Sequence, residues 1–220
     1  REHFVVDLKI HMEEDVYPVD AAVYEKKALP RFKKEHGRAP ADHHEVRKLM
    51  EREPSTKLWS AMARTIQEML WDGAGNTVER QLPELISRSK IAKPLGTLAL
   101  DPTLKTPRYN GEIDIHCMPG NFHQEVTDDD VYAAAVYDRG AYIYIMGGMG
   151  PLGDALGQMM VGYVQDTFDG FAPKRILDMG CGIGSGLLPF ADAYPDAEIH
   201  GIDVATPMQR YGHARDEALG

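Results

Sequence analysis

Apolar residues recur at helical spacing through the first ninety residues, and the spacing predicts a series of amphipathic helices. The stretch 20–35 carries Val23, Leu29 and Phe32 among charges, and 42–53 carries Val46, Leu49 and Met50. Ser55-Thr56 can cap a third helix through Trp59, Met62, Ile66, Met69 and Leu70, expected to stop before Gly73-Ala74-Gly75. Residues 76–90 can add a further short helix. Core packing accounts for the Trp59-to-Leu70 stripe without a ligand surface.

The pattern then changes. Pro94, Gly96, Pro102, Pro107, Gly111, Pro119 and Gly120 punctuate 91–127, leaving short β-like runs at 97–100 and 112–116, a hairpin or an irregular arm. Thr127-Asp128-Asp129-Asp130 suits a helix start, since acids favour the positive end of the helix dipole. The helix carries Val131, Ala135, Tyr142, Ile143 and Met146 before Gly147-Gly148-Met149-Gly150-Pro151 ends it, and a second covers about 152–168. Arg175 to Met179 is too short for a helix and reads as a buried strand. A helix over about 184–194 with Pro189 near its first turn, a strand over 198–204, and a helix from Thr206-Pro207 to Leu219 complete a β-α-β-α order.

The chemistry lies in that last segment. Asp178-Met179-Gly180-Cys181-Gly182-Ile183-Gly184 follows the first strand, and Asp203-Val204 sits at the end of the second. Open α/β sheets bind ligands at the carboxyl ends of their strands. Glycines there let a ligand lie against the backbone. A nicotinamide-dinucleotide loop needs G-x-G-x-x-G, but the sixth place is Ser185 counted from Gly180 and Leu187 counted from Gly182. Asp178-x-Gly180-x-Gly182-x-Gly184, with Asp203 closing the next strand, instead resembles the first motif of class I S-adenosylmethionine-dependent methyltransferases.

The resemblance implies a cofactor site made of Asp178, Met179, Gly180, Cys181, Gly182, Gly184, Asp203 and Val204. The backbone of 180–184 would lie against the methionine part, and Asp203 would accept both ribose hydroxyls. It further implies methyl transfer to an O, N or C atom of a small organic molecule. The fold would be α/β, a Rossmann-like methyltransferase sheet behind a mainly helical N-terminal module. With 17 residues after Asp203, the chain would carry only the first half of that sheet and reads as a fragment, inactive alone. The expected division is 1–127 for the mixed N-terminal module, 128–172 for a helical lead-in over the cofactor, and 173–220 for the start of the binding domain. In such enzymes, helices before the first motif shape the acceptor pocket, making Tyr137, Tyr142, Tyr144, Met146 and Met149 candidates; helix packing explains the same residues without a pocket. Two readings stay open beside this one: a nicotinamide-dependent oxidoreductase, and a non-catalytic cofactor-binding subunit.

Charge and composition narrow the partners. With 34 acidic and 24 basic residues the net charge is −10, which argues against nucleic acid. No run approaches the ~18 apolar residues of a membrane span. Cys117 and Cys181 make no disulfide framework, which fits a cytoplasmic protein, and the nine histidines lack metal-ligand spacing, so no metal is expected. His116 and His123 are the best general-base candidates, although a structural role is the simpler explanation of each. No catalytic residue is assigned, and assembly into a homo-oligomer stays open.

Overall fold

Pro18 and Pro30 fall inside one almost unbroken helical run, where a proline removes an N–H and its ring meets the carbonyl four residues back. A computed structural model, describing residues 1–220 except for the Ile115 side chain, shows how the chain absorbs them. Helices α1 (Glu2–His11), α2 (Tyr17–Val23) and α3 (Leu29–His36) are joined by π-helical turns at Met12–Val16 and Tyr24–Ala28. In each turn the N–H just before the proline reaches back five residues, from Tyr17 to Met12 O and from Leu29 to Tyr24 O. The wider turn relieves the clash.

The chain divides into two compact units, residues 1–69 and 70–220. In the first, Gly37 (φ 68°) ends α3, and Asp42 caps α4 (His43–Met50) by accepting from the His44 and Glu45 amides. Ala28, Phe32, Leu49 and Met50 form the core between these helices. Buried Glu53 accepts from Lys27 Nζ at 2.7 Å and Arg31 Nη2 at 2.8 Å, which hold its carboxyl below the usual range.

Helix α5 (Pro54–Glu79) does not stop before Gly73, as its glycines suggested. Trp71, Ala74 and Val78 are buried, and that burial outweighs roughly 1 kcal/mol of helix propensity per glycine. Gly75 also has a packing reason: a Cβ there would lie 2.6 Å from the Tyr132 hydroxyl. Helix α6 (Leu82–Ser89) follows. The β-like runs at 97–100 and 112–116 are not strands. The segment instead forms α7 (Arg108–Gly111) and a 3-10 turn at Ile115–Cys117, with His116 and Cys117 both left-handed. A strand needs a ladder partner, and here Asn121 Nδ2 ties Asn110 O and Ile113 O into turns while Trp71 Nε1 holds His116 O.

Helix α8 (Tyr132–Tyr144) starts after the acid cluster with Val131 at its N-cap, and one member of the cluster ties the preceding turn to the helix start. Fully buried Asp130 accepts from the Val126, Thr127 and Tyr132 amides. Helix α9 (Ala155–Thr167) leads to β1 (Arg175–Met179), α10 (Leu188–Ala193), β2 (Glu198–Ile202) and α11 (Thr206–Leu219). The strands run parallel, with Arg175 opposite Glu198 and Met179 opposite Ile202. One sheet face is half-buried through Ile176 and Ile199, while Leu177, Met179 and Ile202 on the other are exposed. The fold is thus α/β, mostly helical, with a two-stranded parallel sheet.

Three boundaries near the strand ends also differ from expectation. Helix α10 begins at Leu188 rather than about 184, because Gly184 (φ 80°) and the turns after it leave helical geometry and Pro189 takes the first turn. Strand β2 stops at Ile202, since Asp203 turns the chain with its own carboxylate. The N-cap of α11 is Ala205 rather than Thr206, and the Asp203 carboxylate receives the Ala205 amide.

Candidate functional site

The carboxyl ends of β1 and β2 are held together by the loop that leaves β1. The Gly180 and Cys181 amides both donate to Ile202 O, at 2.7 and 3.1 Å, and so close the loop over the end of β2. The next amide, of Gly182, donates to Asp203 Oδ2 at 3.0 Å, and the Ala205 amide donates to Oδ1 at 2.8 Å. Two backbone N–H groups therefore fix the carboxylate plane, one on each oxygen. A carboxylate offers about four acceptor positions, so each oxygen keeps a further one for a ligand. Gly180 (φ 87°) and Gly182 (φ 56°) lie in left-handed conformations with open space where a side chain would be, a backbone that a ligand can touch.

Asp178 and Met179 end β1, Gly180, Cys181, Gly182 and Gly184 lie in the loop that leaves it, and Asp203 and Val204 lie in the turn that leaves β2. Asp178 and Asp203 are half-buried, whereas Met179 and Val204 are exposed. Burial pushes the Cys181 thiol up; a Gln209 hydrogen bond partly offsets this, and the Asp203 and Asp178 charges push it further. A thiol so held stays protonated and is no nucleophile.

Packing beneath the loop depends on three glycines that the sequence pattern did not single out. A Cβ on Gly157 of α9 would lie 2.5 Å from Gly186 O, and one on Gly201 of β2 would lie 2.8 Å from Cys181 Sγ. One on Gly212 of α11 would lie 2.9 Å from Ile183 O and 3.0 Å from its carbonyl carbon. All three are long-range approaches, and Gly201 and Gly212 stand outside any loop motif, so local sequence carries no signal for them.

Above the loop, Ala134, Ile183, Ala205 and Met208 form a buried cluster on which Phe122, Tyr137 and Tyr211 pack. Of the five pocket candidates, Tyr137 is the one in this cluster. Tyr142 and Met146 are exposed, Tyr142 under the Arg139 guanidinium, and the Tyr144 ring lies 6.5 Å from that of His116. Among the described residues neither His116 nor His123 hydrogen-bonds a loop residue, and His123 Nδ1 is buried without a partner. No group of three or more His, Cys, Asp or Glu among them is arranged to hold a metal ion.

A cleft of about 550 Å³ lies between α10 and α11, lined by Leu98, Leu152, Ile183, Leu188, Asp216 and Glu217 among others. Its lining also takes in Cys181, Gly182 and Gly184 of the loop, but not Asp178, Gly180 or Asp203. Burial raises the Asp216 carboxyl there to about 6. Glu217 accepts from the Leu95 and Gly96 amides at 2.8 and 2.6 Å, fixing that segment to α11.

A stretch of 43 residues is 42% identical to trans-aconitate 2-methyltransferase from Pseudomonas paraeruginosa (strain DSM 24068 / PA7), covering 20% of this chain and 16% of that protein. No family model and no solved structure gives a significant match. The likeness is to a methyltransferase in general, along one short stretch. No helix is long and apolar enough to cross a membrane among the described residues.

Proposed function

We propose that the protein is a class I S-adenosylmethionine-dependent methyltransferase of the cytoplasm, acting on an O, N or C atom of a small organic molecule. One observation carries the reading: the Asp203 carboxylate, fixed by two amides beside an open glycine backbone at the ends of parallel strands. The short methyltransferase match agrees with it.

The residues present fit this cofactor better than a dinucleotide. A pyrophosphate needs a helix N-terminus or cations at the glycine loop. Here α10 starts four residues after Gly184, and the charged groups at the strand ends are the carboxylates Asp178 and Asp203. Those two acids would repel a phosphate. They suit a ligand with a diol at one end and a cation at the other.

The cofactor, when bound, supplies a methyl group activated by a positive sulfur. Asp203 would receive the ribose hydroxyls, and the 180–184 backbone would line the methionine part without side chains in the way. The Phe122–Tyr137 pair would exclude water from the loop. The protein's contribution is then position and dryness, which together can supply much of the barrier lowering for an in-line displacement. The acceptor of the matched relative is named as trans-aconitate; for this chain we propose the wider class.

Calorimetric titration tests the reading. S-adenosylhomocysteine should bind the protein, with NAD showing little or no heat; tighter binding of NAD would sink the proposal.

A further inference from the structure

Tyr137 is placed at the loop by packing, yet its hydroxyl has no work to do within the protein. The ring rests on the cluster that contains Ile183, one residue past Gly182, and Ala205, two residues past Asp203. Phe122 meets it edge-on at 90°, with centroids 5.6 Å apart, which fixes the plane of the ring. The neighbouring carboxylate, Asp138, is already engaged: it accepts from Tyr211 Oη at 2.8 Å and faces Arg215 Nε at 3.9 Å. Among the described residues the Tyr137 hydroxyl has no hydrogen-bond partner, and it is not sealed off from solvent. Burial raises this phenol, and the charges of Asp138 and then Asp203 add to the rise, so it lies within electrostatic reach of Asp203.

The Tyr137 hydroxyl makes no hydrogen bond to Asp203, and each Asp203 oxygen takes one backbone N–H and keeps room for another donor. A vicinal diol completes both groups. Each ligand hydroxyl gives its proton to Asp203, and one of the two hydroxyl oxygens is then free to accept from Tyr137. Resting on the reading of this site as one for an adenosine cofactor, we propose that Tyr137 is a further binding residue, donating its hydroxyl proton to a ribose hydroxyl whose own proton goes to Asp203. Phe122 would serve as its positioning residue.

The test compares the protein with Tyr137→Phe in titrations against S-adenosylhomocysteine and its 2′-deoxy and 3′-deoxy analogues. Removing only an unpartnered hydroxyl should leave the melting temperature unchanged. Affinity for S-adenosylhomocysteine should fall about two- to tenfold, the range of one neutral hydrogen bond. The loss should vanish for the deoxy analogue lacking the hydroxyl that Tyr137 contacts. Equal affinities of the two proteins, an equal loss for all three ligands, or a loss that tracks a lowered melting temperature would each overturn the inference while leaving the cofactor reading standing. Failure of the unaltered protein to bind S-adenosylhomocysteine would overturn both.

Discussion

Asp203→Ala should weaken binding of S-adenosylhomocysteine by about ten- to over a hundredfold, the effect of losing charge-assisted hydrogen bonds of roughly 1.5–3 kcal/mol. The carboxylate also serves the chain, since it accepts from the Gly182 and Ala205 amides. Of those donors Gly182 is half-buried, where water can replace the lost acceptor, but Ala205 is buried, so the melting temperature should fall moderately while affinity falls by more than folding does. Asp203→Asn refines the test. It keeps an acceptor for one amide but replaces the other oxygen by a donor, so affinity should still drop. Were the acid only a turn-forming group, both variants would lower the melting temperature, and affinity would follow only as far as folding did. Calorimetry and thermal melting on the same samples separate the outcomes.

The second large effect comes from Gly212, a residue with no chemistry of its own. Its Cβ would stand 2.9–3.1 Å from the Ile183 backbone, which cannot rotate away as a side chain tip can. Gly212→Ala must therefore push α11 off the glycine loop. Overpacking of this kind costs about 1–3 kcal/mol, against a gain of up to roughly 1 kcal/mol in helix propensity. The balance predicts a melting temperature lowered by several degrees and a loss of cofactor affinity, because the loop that α11 supports also carries the Gly182 amide. Gly162→Ala in α9 is the matched control: nothing lies within 4 Å of its Cβ, so it should be neutral or stabilising. A Gly212→Ala protein that melts and binds like the unaltered one would show that the loop tolerates a displaced helix.

The contrast between these residues explains how much could be read in advance. The bounds of β1 follow from a local cue, a short apolar run. Asp178, the alternating glycines and Asp203 stand out in the sequence because a ligand site at strand ends would need those residue types in that order. What failed to show was set by distant partners. Helix α5 runs through Gly73 and Gly75 because Trp71, Ala74 and Val78 are buried on one side of it. The 112–116 run has strand composition but no neighbouring strand, and Asn121 draws it into turns. The end of β2 shifts because Asp203 turns the chain with its own carboxylate, and the start of α10 because Gly184 and the turns after it leave helical geometry. Gly157, Gly201 and Gly212 are invisible because each is required by an atom far away in the chain. Tyr137 was one of five equivalent candidates until packing set it apart.

The most direct measurement is a crystal structure of the protein with S-adenosylhomocysteine bound. The account predicts both ribose hydroxyls within hydrogen-bond distance of the Asp203 carboxylate and the homocysteine part along the 180–184 backbone. A ligand whose ribose lies away from Asp203, or whose amino-acid part avoids that loop, would contradict it.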